Sequence, residues 1–316
     1  MNLLFLIGNG FDINLGLKTG YPDFYRYYKT IDSQDPDILA MKESIEKDSC
    51  WSDLEHGLGV YSEEMRSKDV FLKCVADIKE ALTQYLISQR ESATINLSFE
   101  KMMEDLTSPE DYLDELLKSK YNAFLKTHRG HFALEKSVSV VTFNYTDTLE
   151  TILTAKGRVA VPILHIHGKL PNDIVLGVSD LKQIANNSFR TERDVREEFI
   201  KPEYNKACLN MRDETFVRLI TSADVIILFG SSLGETDRKW WRLIGSQLQK
   251  KESETVLFYF VYDKKKDTVH HPNHRLRWTE QYQKEIISVL EIPEDRSTEI
   301  LARIYIGINK DIFKNN

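Results

Sequence analysis

Apolar residues fall along this chain in two rhythms. Short unbroken runs, such as LLFLI at residues 3–7 and VIILF at 225–229, alternate with long stretches in which every third or fourth residue is apolar. Runs of the first kind, rich in β-branched and aromatic residues and bounded by glycine or polar turns, read as buried strands. Five qualify, at 3–7, 138–143, 163–166, 225–229 and 256–262. Several lack a polar face, as parallel strands covered on both sides do. Stretches 215–221 and 237–250 carry the helical rhythm. The pattern predicts an α/β fold built on a Rossmann-like, doubly wound, mostly parallel sheet.

Between the first two strands the rhythm is helical throughout. Phe71, Val75, Ile78, Leu82 and Tyr85 recur at steps of three and four, as do Leu113, Leu116, Leu117, Tyr121 and Phe124, and each set lines one helical face. The stretch is too long for a simple crossover. It predicts a helical subdomain, residues 13–136, inserted after the first strand, with 1–12 and 137–316 forming the core. Ligands of open α/β sheets bind beyond the carboxyl ends of the strands, and such an insertion would roof that crevice. The terminal NKDIFKNN is expected to fray.

Composition narrows the picture a little. With 316 residues, 41% hydrophobic and 29% charged, a folded chain with a real core is expected. The net charge of −7 disfavours a surface that coats nucleic acid. Cys50, Cys74 and Cys208 are odd in number and far apart, so neither a disulfide framework nor a zinc ribbon is indicated, and a reducing cytoplasm fits. No apolar run approaches the roughly 18 residues needed to span a bilayer.

The chemistry is concentrated where strands end. GNGFD places Gly8, Asn9, Gly10, Phe11 and Asp12 after the first strand. Glycines there could bring backbone N–H groups onto an anion. The G-x-G-x-x-G fingerprint is incomplete, because Ile13 stands at the third glycine, so an idle strand-ending turn competes with a phosphate cradle. The cradle is the reading preferred. TFNYTD offers Asn144, able to hold a ribose hydroxyl or orient a water, and Asp147, read as the N-cap of a helix starting at Thr148.

HIHG puts His165 and His167 two apart, on one face if the strand continues. A metal pair would need further ligands that no nearby histidine, cysteine or carboxylate pair supplies. The preferred assignment makes His167 a general base and His165 a structural histidine with its bonds satisfied. GSSLGETD adds Ser231, Ser232 and Asp237 as ligand anchors, with no G-x-S-x-G elbow. In WSDLEHGLG, Trp51 reads as core, while Glu55 is either paired, solvated or turned to the crevice. HHPNHRLRW, residues 270–278, reads as a solvated loop, and Lys264 to Lys266 as a polar turn.

LFLIGNGFDINLGLKTGYPDFYRYY, followed by WSDLE and VVTFNYTDTLE, resembles the AbiH family of bacteriophage abortive-infection proteins over most of the chain. More distantly, the order of motifs resembles the sirtuin-like NAD-binding fold. That family's glycine-rich turn, asparagine, histidine before glycine, and G-[ST]-S-L turn fall on Gly8 to Phe11, Asn144, His167 with Gly168, and Gly230 to Leu233. The paired cysteines of a deacetylase zinc ribbon are missing. The resemblance therefore implies an NAD+ hydrolase of the defence-associated kind, with NAD+ as substrate and no required cofactor. It also implies a phage-derived trigger, and gating by homo-oligomer assembly would be one means of restraint. Two other readings remain: a non-catalytic NAD+ or ADP-ribose sensor, and a metal-dependent nuclease using His165 and His167 with Asp180 or Glu55.

Overall fold

The fold is described by a computed structural model covering residues 1–128, 135–155 and 157–314. Its centre is a six-stranded sheet. In chain order the strands are β1 (Asn2–Ile7), β2 (Ser137–Thr142), β3 (Ile163–His165), β4 (Val225–Phe229), β5 (Val256–Val261) and β6 (Ile304–Ile308). They lie side by side as β6-β5-β4-β1-β2-β3, every pairing parallel. Read from the other edge this is 3-2-1-4-5-6, the order of dinucleotide-binding sheets, and the order reverses between β1 and β4.

Apolar runs make these strands because both faces are covered. Phe5, Val140, Ile227 and Phe258 point into one core, while Leu6, Val141, Leu228 and Leu257 point into the other. Helices Arg212–Ser222, Arg238–Gln249 and Arg275–Val289 close the second core through Phe216, Trp241 and Ile286. Five strands fall where expected, and β6 is additional.

The long insertion divides between two cores. Helices Tyr21–Thr30, Pro36–Lys47, Leu54–Tyr61 and Lys68–Ser92 bury Phe24, Met41, Leu58 and Phe71 together. Val178, Phe189 and Phe199, from well beyond the insertion, complete that core. Helices Phe99–Thr107 and Glu115–Thr127 lie instead on the sheet, through Met102, Leu106 and Tyr121. Local signals set the helix starts: Asp35 and Ser67 each accept a backbone N–H of the first turn.

Two details of the helical pattern change. Leu116 is 65% exposed, and the buried Leu113 precedes its helix rather than belonging to it. Residues 270–278 are only partly loop, since the long helix begins at Arg275. The terminal stretch expected to fray is instead anchored, with Ile312 and Phe313 fully buried in the core on the sheet; Asn315 and Asn316 lie outside the described residues. Among the described residues no helix is long and apolar enough to cross a membrane.

Candidate functional site

A cavity of about 900 Å³ opens at the carboxyl ends of the strands. Gly8 and Gly10 after β1, Asn144 after β2, His167 after β3 and Ser231 after β4 all line it. So do Asn9, Asp12, Ser232 and Asp237. Chain segments far apart in sequence thus meet at the point where the strand order reverses. Tyr21, Asp53, Glu55 and Leu82 of the insertion form the opposite wall. Phe11 is the exception among the anticipated residues and does not line the cavity. It is fully buried, its ring meeting Phe229 and Phe313 edge-on at 6.4 and 5.5 Å, so a core role replaces the expected ligand contact.

The glycines also differ from expectation. Gly8 N donates to Phe229 O at 2.9 Å and Gly10 N to Gly230 O at 2.8 Å, so both amides are committed to the neighbouring turn. The helix that follows, Gly10–Asn14, is a single turn. What requires glycine is close approach. A Cβ on Gly8 would stand 2.6 Å from Gly230 O, and one on Gly10 would stand 2.6 Å from Gly230 Cα. We expect Gly10→Ala to push the two turns apart and cost roughly 1–3 kcal/mol, the usual range for overpacking. Thermal denaturation would read this, and an unchanged melting temperature would contradict the contact.

Next to these turns lies a pocket of unsatisfied polar atoms. Asp12 is 1% exposed, and its Oδ2 accepts from Thr146 Oγ1 at 2.5 Å. Its Oδ1 has no partner, nor does Thr148 Oγ1. Burial pushes the Asp12 carboxyl up to about 6, against the opposing effects of the Thr146 and Thr148 hydroxyls and Arg90. Asn144 is 6% exposed; like Thr148 it stands close enough to Asp12 to favour its charge, but neither of its side-chain amide atoms makes a hydrogen bond of good geometry. Buried polar groups without partners are uncommon and costly. Two such side chains lining one cavity are what a polar ligand would satisfy.

On the other side of His167 lies a buried ionic cluster. His167 Nε2 is 3.0 Å from Asp237 Oδ1, and Lys201 Nζ reaches Glu55 Oε2 at 2.6 Å and Asp237 Oδ1 at 3.2 Å. Nζ also stands 3.4 Å from His167 Nε2. Burial opposes the charge on Asp237, but His167 and Lys201 outweigh it and hold the carboxyl below the usual range. For Glu55 burial wins over Lys201 and His167, and its carboxyl is raised. Burial likewise opposes the Lys201 charge, yet the two carboxylates keep its ammonium above the ordinary value. Asp237 is thus a partner of His167 rather than a free ligand anchor.

In the neutral imidazole, an Asp beside Nε2 favours the tautomer carrying its proton there, which leaves Nδ1 with a lone pair. That Nδ1 is buried and without a partner. His165 behaves as the satisfied histidine expected, with Nδ1 2.9 Å from Asn144 O and Nε2 2.8 Å from Glu150 Oε1. Because β3 stops at His165, strand alternation no longer aligns His167 with it. Among the described residues no group of three or more His, Cys, Asp or Glu is arranged to hold a metal ion. Between Glu55, Asp237 and His167 the Lys201 ammonium occupies the place a cation would take.

Two further residues take roles the sequence left open or misread. Asp147 stands at the N-cap of helix Thr148–Leu153, but its side chain makes no cap bond and instead holds Arg90 Nε at 2.6 Å. Glu55 is 4% exposed and faces the cavity, held there because Asp53 Oδ1 caps its helix by accepting from Glu55 N and His56 N. Thr236 Oγ1, in the turn after β4, donates to Asp53 Oδ2 at 3.3 Å and fastens the insertion to the core. Lys201 was not anticipated at all. It lies in KPEYNKA, an ordinary charged stretch, and only its tertiary burial marks it out.

No curated protein matches this chain. The family described as Bacteriophage abortive infection AbiH matches residues 4–259, which take in most of β1, all of β2 to β4, the insertion and every residue of the cavity wall discussed above, and the chain belongs to that family.

Proposed function

We propose that this abortive-infection protein binds NAD+ in the cavity and hydrolyses the bond between its ribose and nicotinamide, arresting the infected cell by depletion. One observation carries the reading. At the reversal point of a 3-2-1-4-5-6 sheet, where dinucleotides bind, an Asp-paired histidine with an unpartnered Nδ1 and an asparagine with an unsatisfied amide line one cavity. About 900 Å³ is room for a ligand at the upper end of ordinary pockets.

The chemistry makes modest demands. The ribosyl C–N bond breaks with its electron pair passing to the ring nitrogen, which becomes neutral and leaves as nicotinamide. Water adds to the ribosyl carbon and gives up a proton, leaving ADP-ribose. Asn144 holds a ribose hydroxyl or the water, and His167 Nδ1 takes the proton while Asp237 stabilises the imidazolium that forms. Ser231 Oγ accepts from Leu233 N at 3.1 Å and retains its own proton to donate. With the Gly8 and Gly10 amides spent, the diphosphate falls to Ser231 and Ser232 rather than to the first turn.

The test is to incubate purified protein with NAD+ and follow nicotinamide by chromatography, then repeat with His167→Ala. Release by the wild type and a fall of about 100-fold in the variant are expected. Full activity in the variant would remove His167 from the role. NAD+ retained intact at near-stoichiometric occupancy would favour the sensor reading.

A further inference from the structure

Charge is distributed unevenly along the cavity. The wall beyond β2, shared with the insertion, carries Asp53 and Glu55 with the rings of Tyr21, Phe143 and Tyr145, and Asp237 joins it from the segment after β4. Lys201 lies behind this wall and offsets part of its charge, but among the described residues Asp53 bonds to helix amides and the Thr236 hydroxyl and to no cation. At the other end, Lys264, Lys310 and Lys314, which follow β5 and β6, line the cavity together with Glu285, and Lys310 and Lys314 are paired with Asp114 and Asp311. The sheet order places the segment after β2 on one side of β1 and β4 and the lysine-bearing segments after β5 and β6 on the other. Burial, then the charges of Glu55 and its neighbours, hold the Tyr21 and Tyr145 phenols neutral. Their rings thus add neutral aromatic faces to an acidic wall, and aromatic faces beside carboxylates attract a cation.

Resting on the nucleotide reading above, we infer that the compartment formed by Tyr21, Tyr145, Asp53 and Glu55 recognises a planar aromatic cation, the oxidised pyridinium, and rejects the neutral reduced ring. The unsatisfied Asn144 amide and Asp12 Oδ1 on the same cavity wall independently mark a place for a polar ligand. An oxidised dinucleotide carries such a cationic ring beside an anionic diphosphate. Its reduced form keeps the anion and loses the cation. Selection of the oxidised form would keep the protein from being occupied by a ligand it cannot cleave, since a neutral dihydropyridine is a poor leaving group.

The decisive probes are ring fragments. Binding of 1-methylnicotinamide, a cation with no glycosidic bond, is compared by calorimetry with that of neutral nicotinamide, and NAD+ with NADH, using the full chain. The cation of each pair should bind about tenfold tighter, the range of a desolvated cation–aromatic contact. Asp53→Asn, which keeps the helix-capping oxygen, and Tyr21→Leu should each bring the ratio towards one. Affinities within twofold across the fragment pair, or a ratio unmoved by both variants, would overturn the inference.

Other outcomes separate it from the nucleotide reading. Selective binding of 1-methylnicotinamide with no binding of either dinucleotide sinks that reading and upholds cation recognition. Equal binding of NAD+ and NADH does the reverse. If none of the four binds, both fall.

Discussion

Replacing Lys201 by methionine should destabilise the protein by about 3–5 kcal/mol at neutral pH, the usual cost of leaving a buried charge without its partner. Lys201 is 4% exposed and touches both Glu55 and Asp237. Methionine fills similar volume, so the loss would be electrostatic rather than a cavity. Asp237 would keep His167, while Glu55 would lose its ammonium partner and keep the Gly177 N–H at 3.2 Å. The Glu55 carboxyl is already raised by burial and would rise further without the ammonium. Acidification would then protonate it and restore stability, so the deficit should be larger at pH 8 than at pH 5.

Adding Glu55→Gln to Lys201→Met should recover much of the loss, because the orphaned carboxylate is gone. Urea denaturation of the wild type and both variants at the two pH values would measure this. A single variant within about 1 kcal/mol of wild type, or a double variant no better than the single, would show that the cluster does not work as a charge-balanced unit.

How much of this was legible in the sequence depends on whether the signal is local. Five strands could be read because a strand covered on both faces must be apolar at every position, and VIILF or LLFLI say so without context. IYIGI at β6 carries the same signal, but Gly307 breaks it. That glycine exists because a Cβ there would stand 2.4 Å from the Phe260 ring on the neighbouring strand, a tertiary fact. The polar strand ends were visible as a set, and their meeting in one cavity follows from parallel strands having all their carboxyl ends on one side.

Roles within the site were harder to read. Gly8 and Gly10 looked like a phosphate cradle because that motif and a turn-to-turn contact with Gly230 demand the same residue. Phe11 falls inside the motif but faces the core. Glu55 could be placed on a helix and not on a wall, since facing the cavity depends on Thr236 fastening the Asp53 cap from the far side. Lys201 lay in a stretch indistinguishable from a solvated helix. The division of the insertion between two cores was hidden because Phe189 and Phe199 join it from the region after β3.

Asp12→Asn should make the protein more stable at neutral pH while impairing ligand binding. The Asp12 carboxyl is shifted by burial from 3.8 to about 6. Well below the unfolded value of 3.8 both folded and unfolded chains hold this proton, and Asp12 contributes no pH dependence. As pH rises towards 6 the unfolded chain releases it readily, while the folded chain gives it up only by leaving a carboxylate 1% exposed with Oδ1 unpartnered. Folding stability therefore falls across this window and stays lower above it, by about 3 kcal/mol at roughly 1.4 kcal/mol per unit. Asparagine approximates the protonated carboxyl in shape, can still accept from Thr146 Oγ1, and carries no charge. It should remove the decline between pH 4 and 6 and raise the melting temperature at pH 7, with little change at pH 4. A group that costs stability at working pH is retained where binding or chemistry needs it. NAD+ affinity measured on the same variant should fall by tenfold or more if Asp12 holds a ribose hydroxyl as an acceptor. Lower stability at pH 7 would mean that the ionised carboxylate is satisfied within the fold. A stabilised variant with unchanged affinity would take Asp12 out of the ligand site.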